Sequence, residues 1–288
     1  MRRATRQYIK GWGWLLPALV LYLIFGIIPV FQGIRLSFYK ASLRYTEFTG
    51  LRNYAFLLDS MEFQKAVQNT IGYVLVCVPI SVILPLGLAI TINKMRECNQ
   101  AVMRFLFYLP YLGAGVVLAV IWKWIYAVEG GALNPILGLF GVQPIVWLAT
   151  NSAAFWAICI TVIFGGTGVN ILIYLAGIAT IDPGLYEVAM LDGCKQGQVT
   201  RYVTLPHLRP YVVLLLIVRT IGTFQIWGTV HMLTRGGPAW GTTTMVYVIY
   251  HQGIQNSAFG LASAASILLF LGVAVLVTAQ FLIVRRRK

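Results

Sequence analysis

Long apolar runs separated by short charged stretches constrain this chain more than any other feature. About 20 apolar residues wound as a helix cross a hydrocarbon core of about 30 Å. A helix also satisfies its backbone amides internally, which lipid demands. Only 10% of the residues are charged and 59% are hydrophobic, whereas a soluble domain carries about a quarter charged residues. The runs predict an all-α membrane protein with six transmembrane helices, over about 14–39, 67–92, 105–127, 152–176, 211–233 and 259–284.

The net charge of +14 is explained by topology. Arg2, Arg3, Arg6, Lys10, Lys94, Arg96, Arg104, Lys195, Arg201, Arg209 and the run from Arg285 to Lys288 all fall on one side of the predicted spans. The opposite side receives Lys40, Arg44, Arg52, Lys65 and Arg235. The richer side is cytoplasmic, so both termini are expected there, as a segment 1–12 and a tail 286–288. A nucleic-acid partner is not indicated; lipid is. The first span lacks an A-x-A cleavage site and exceeds a signal-peptide core, so it reads as retained. The four cysteines form no CxxC pair and the three histidines are scattered, which indicates no metal centre and no catalytic cluster.

If the spans form a transporter, it needs an energy source. Glu47, Asp59, Glu62 and Glu129 fall outside the predicted spans on one side, and Glu97, Asp182, Glu187 and Asp192 on the other. The absence of a buried carboxylate weighs against an ion-coupled carrier. There is no GxxxxGK[ST] phosphate loop and no potassium-type filter. The engine is therefore expected in another chain, and the loop 182–210 is the largest cytoplasmic surface for receiving it. Asp182-Pro183 reads as an N-cap followed by proline at the first helical position, and Gly193 as a stop. A helix of barely three turns must pack on something. On physics alone, a docking helix and a plain amphipathic connector stand level.

Resemblance separates the two readings. Glu187-Val188-Ala189, three residues, Gly193, nine residues and Val203-Thr204-Leu205-Pro206 resemble the EAA motif of binding-protein-dependent ABC permeases, with Val188 for alanine and Val203 for isoleucine. Phe48-Thr49-Gly50-Leu51-Arg52-Asn53-Tyr54, Asn69-Thr70, Arg104 with Leu109-Pro110, Gly131-Ala132-Leu133-Asn134, Leu233 to Pro238 and Gly260 to Ala264 extend the likeness over nearly the whole chain. They resemble the carbohydrate-importer branch, which includes glycerol-phosphate importers, in the version placed first of two permeases. The resemblance implies a type I importer fold in a bacterial or archaeal plasma membrane. It also implies a second related permease, two ATPase subunits docked on the EAA loop and an external solute-binding protein. No cofactor is implied in this chain; ATP and magnesium belong to the ATPases. Glu187, Ala189, Asp192, Gly193, Leu205 and Pro206 are the expected coupling residues.

Polar and small groups within spans four and five are the candidate solute contacts: Gly166, Val169, Asn170, Thr223, Phe224, Gln225 and Trp227. Sugars take hydrogen bonds from amides and hydroxyls and stack on aromatic faces. The same residues also serve helix packing in membranes. Arg219 admits two readings, a place facing the cytoplasmic vestibule, which we favour from sequence, and a contact to an anionic solute.

Overall fold

The computed structural model describes residues 14–113 and 115–285. The N-terminal segment 1–12, with Arg2, Arg3, Arg6 and Lys10, and the tail Arg286, Arg287 and Lys288 lie outside the described residues.

In chain order, α1 is Trp14–Leu36, with a π-helical turn at Leu23–Ile27. Strands β1 (Tyr39–Ala41) and β2 (Thr46–Phe48) pair antiparallel, Lys40 opposite Glu47. Then come α2 (Arg52–Asp59), α3 (Met61–Asn93), α4 (Glu97–Leu112), α5 (Gly115–Ile125) and α6 (Leu133–Gly138). Helix α7 is Asn151–Ala179, α8 is Pro183–Leu191 and α9 is Gln196–Phe224, with a π-helical turn at Thr200–Thr204. The chain ends in α10 (Gly228–Leu233), α11 (Met245–Tyr250) and α12 (Phe259–Arg285).

Five of the described helices are long and apolar enough to cross a membrane, and up to six spans result if the bent pair α4 and α5 counts as one. The all-α expectation is therefore corrected by one small hairpin. Its strands have three residues each, too short to show a two-residue periodicity. Span one ends at Leu36 rather than residue 39, because Tyr39 opens β1. Span two is longer than expected, beginning at Met61. Span three is not one rod: its two helices meet at 99°. Span five starts earlier and stops at Phe224, leaving Gly228–Leu233 as a separate helix.

The chain divides into two compact units, residues 1–60 with 249–268, and residues 61–248 with 269–288. In the first, the Asn53 side chain donates to the carbonyls of Ser37 and Tyr39 at 2.8 and 2.9 Å, and Tyr54 Oη donates to Ser37 Oγ at 2.7 Å. The Asn-Tyr pair of the external motif thus ties α2 to the end of α1 and to β1. In the second unit α7 is the central helix. Of its most apolar stretch 61% is buried, against 17% for α9. Two clusters flank it, one around Tyr73, Tyr126 and Ile158, the other around Ile92, Ile171, Tyr174 and Leu208. Cys77 and Cys159, far apart in sequence, meet in the first cluster. Asn69 donates to the carbonyls of Trp240 and Thr243 at 2.9 and 3.0 Å, and Thr70 Oγ1 accepts from the Met245 amide at 3.1 Å. The Asn-Thr pair on α3 therefore holds the turn that carries the Gly-Gly-Pro segment.

Candidate functional site

Two places collect the residues singled out from the sequence. The first is α8. Asp182 Oδ1 accepts from the Gly184 amide at 2.9 Å, and Pro183 occupies the first turn, where no amide partner is needed. At the other end Gly193 adopts φ +75°. The amides of Gly193 and Cys194 donate to the carbonyls of Met190 and Ala189, each at 3.0 Å. This pair of reversed bonds is the Schellman closure, which favours glycine in the left-handed position. Both ends of the nine-residue helix are thus set by local chemistry.

The body of α8 is barely covered. It has no buried residue; Val188 is 56% exposed and Leu191 88%. Glu187, Asp192 and Gly193 are exposed and Ala189 half-buried. The side facing the chain is held by Tyr186, whose hydroxyl lies 3.3 Å from Thr204 Oγ1. A cavity of about 290 Å³ lies there, lined by Ile90, Asn93, Ile178, Tyr186, Met190 and Thr204. Leu205 and Pro206 lie at the start of the regular part of α9 and are exposed, while Leu208 one turn on is buried.

The second place is a cavity of about 580 Å³ within the second unit. Two interruptions of regular helix border it, the Pro110 to Gly113 end of α4 and the break at Gln225-Ile226-Trp227 after α9, together with the glycine pair Gly165-Gly166 within α7. Broken helices at membrane depth are tolerated where they line a cavity.

Behind the cavity runs a chain of polar contacts that begins with a proline. Pro85 lies inside α3 and has no amide to offer the carbonyl four residues back, Ser81. The Asn170 side-chain amide fills that vacancy, donating to the Ser81 carbonyl at 2.7 Å. Tyr174 Oη donates to the next carbonyl, Val82, at 3.2 Å. Asn170 is wholly buried, and its other end receives Arg219: Nε donates to Asn170 Oδ1 at 2.9 Å and one Nη both to Oδ1 and to the Gly166 carbonyl, the latter at 2.8 Å. A Cβ at Gly166 would collide with the guanidinium. Gly166 therefore makes the space in which Arg219 lies against α7.

Of the candidate solute contacts, Gly166, Gln225 and Trp227 share the cavity lining with Arg219. Asn170 anchors Arg219 from below. Thr223 is buried, and Phe224 packs into a cluster with Val74 and Val78. Val169 is half-buried and does not line the cavity. Trp227 stacks on His231, ring centroids 5.0 Å apart. Sequence reasoning missed Tyr111 and Thr229 as lining residues. The available signal was Pro110 followed by Gly113. Among the described residues no group of three or more His, Cys, Asp or Glu could hold a metal ion.

Residues 61–288 match the model of a protein family described as binding-protein-dependent transport system inner membrane component. The chain is 33% identical over 267 residues to the trehalose/maltose transport system permease protein of Thermococcus litoralis, covering 92% of this chain and 90% of that one. It is 32% identical to the lactose transport system permease protein of Rhizobium radiobacter, covering 100% and 98%. It is 33% identical to the sulfoquinovosyl glycerol transport system permease protein of Agrobacterium fabrum, covering 95% and 89%. Among solved structures, a bacterial ABC transporter involved in the import of the acidic polysaccharide alginate has the same fold, with a TM-score of 0.87 at 24% identity over 99% of this chain and 98% of that one.

Proposed function

This chain belongs to the family of binding-protein-dependent transport system inner membrane components, and from that premise we propose that it is one of two paired permeases through which an ATP-driven importer passes a sugar or sugar-like solute. Relatives named for trehalose/maltose and lactose transport, about a third identical over nearly full length, support the solute class. The chain itself catalyses nothing in this reading. ATP and magnesium are handled by two ATPase subunits, and an external binding protein delivers the solute. The permease domain runs over residues 13–285 with α4 and α5 counted as one bent span, and both termini face the cytoplasm.

The observation that carries the coupling role is α8. It is capped at both ends, bears the EAA spacing and leaves its apolar residues uncovered. A connector packed on its own bundle would bury such residues; about 25 cal/mol per Å² favours doing so. Their exposure supports a protein partner that receives the helix. Glu187 is the polar contact on that surface, and Gly193 closes the helix without a side chain to obstruct the approach; a Cβ there meets nothing within this chain. Leu205 and Pro206 carry the motion along α9.

The test is Glu187→Lys combined with Gly193→Pro in the complete importer. The variant is expected to insert in the membrane and to lose both co-purification of the ATPase subunits and solute uptake. Normal association with normal uptake would sink the coupling role.

A further inference from the structure

Arg219 lies ten residues beyond Arg209 on α9, a rise of ~15 Å, which places it near the middle of a hydrocarbon core of about 30 Å. A guanidinium at that depth is costly unless something compensates its charge. Its partners in this chain are neutral: the Asn170 carboxamide oxygen and the Gly166 carbonyl. The chain's eight acidic residues are all placed elsewhere. Glu62 and Glu97 stand in the first turns of α3 and α4. Glu47, Asp59, Glu129, Asp182, Glu187 and Asp192 belong to short elements and connections outside the long apolar helices.

The guanidinium is nevertheless built in. Gly166 makes room for it, Asn170 holds it, and Pro85 opens the Ser81 carbonyl that holds Asn170. Two of its nitrogens are committed to these acceptors, and Nη1 donates to neither. The side chain lines the cavity of about 580 Å³, within the range of about 300–1,000 Å³ typical of small-molecule sites. Gln225 and Trp227 border the same space, the amide and aromatic face that a sugar ring uses. A cation fixed by neutral acceptors beside such groups is suited to an anion that arrives and leaves. We propose that Arg219 is the counter-ion for the transported solute, and that the cavity passes sugars bearing a carboxylate, phosphate or sulfonate group. This presupposes that the chain is a sugar-importer permease, and it moves Arg219 from the vestibule to the pathway.

The test uses the complete importer, with its second permease, ATPases and binding protein, in proteoliposomes. Probes paired by structure and differing in charge are offered: galacturonate against galactose, glucose 6-phosphate against glucose, and digalacturonate against galactobiose. The wild type is expected to carry at least one acidic probe on the order of tenfold or more faster than its neutral counterpart, the scale of a charge-assisted hydrogen bond. Arg219→Gln should erase that preference while still co-purifying with the second permease, and Arg219→Lys should keep part of it. Uptake of neutral probes alone, or an acidic preference that survives Arg219→Gln, overturns the anion role and leaves the sugar-importer reading standing. Loss of the second permease from Arg219→Gln also overturns it, in favour of an ion pair between subunits. Failure of every probe, neutral and acidic, overturns both readings.

Discussion

Helix α8 and the cavity beside Arg219 use the same materials, glycine beside polar side chains, in opposite ways. In α8 the defining bonds are local. Asp182 reaches two residues ahead to Gly184, and the Gly193 and Cys194 amides reach back to Met190 and Ala189. The side chains they set in place remain exposed. At the cavity the defining bonds join distant segments: Asn170 to Ser81 across 89 residues, Arg219 to Asn170 across 49 and to Gly166 across 53. Those polar groups lie inside the unit. One region is, in the function proposed above, a prefabricated surface for another chain. The other exists only after α3, α7 and α9 have assembled. Changes in α8 should therefore harm partnership and spare the fold, and changes at the cavity should harm both.

The sharpest separation comes from Asn170→Leu set against Glu187→Lys. Leucine at 170 removes the donor that satisfies the Ser81 carbonyl and the acceptor that holds the guanidinium. The bonds lost include two to a charged group, so a destabilisation of about 3 kcal/mol is expected. It would be read as a clear fall in apparent Tm of the purified permease pair, with uptake lost. Glu187 is exposed on α8, and substitutions of that kind stay within about 0.5 kcal/mol. Its Tm should be unchanged while the ATPases dissociate. Equal Tm values for the two variants would erase the distinction between the regions.

The same contrast decides what was legible in the sequence. The ends of α8 fall where Asp182-Pro183 and Gly193 put them, because a cap is chemistry among neighbours. Spans four and six were read from apolar length, and the structure has single long helices there, Asn151–Ala179 and Phe259–Arg285. Spans three and five read as continuous because hydropathy does not register a bend. Yet the structure interrupts them at Pro110 to Gly113 and at Gln225 to Trp227, and both interruptions border the cavity. Phe224 and Gln225 are adjacent, and only the helix end decides that Phe224 meets Val74 and Val78 while Gln225 faces the cavity. The tie between Pro85 and Asn170 needed the pairing of α3 with α7, which no single stretch of sequence carries. Departures from local regularity gather at the site, as expected where function overrides local preference.

Gly166→Ala tests how closely the cavity is fitted. One added methyl would meet the guanidinium rather than empty space, so Arg219 must move or α7 must shift. Overpacking of this kind costs about 1–3 kcal/mol. Tm should fall less than for Asn170→Leu, and uptake should fall with it because the charged group has been displaced. Gly222→Ala is the control on α9, since a Cβ there meets nothing. If both alanines behave alike, the close seat of Arg219 at Gly166 has no consequence.

The smallest effect belongs to Asp182→Ala. It removes the side-chain acceptor for the Gly184 amide, a loss of about 1 kcal/mol for an N-cap. Pro183 still needs no amide partner and the Schellman closure at Gly193 is untouched, so α8 should persist with a frayed first turn. Amide exchange at Gly184 and Leu185 should quicken while that of α7 stays as it was. Because the helix is uncovered by its own chain, little tertiary packing opposes the fraying. ATPase association should weaken several-fold rather than vanish, since Glu187 lies beyond the first turn. Faster exchange spreading into α7 would mean that α8 is welded to the bundle after all, and the division between a detachable surface and a buried cavity would fail at its weakest point.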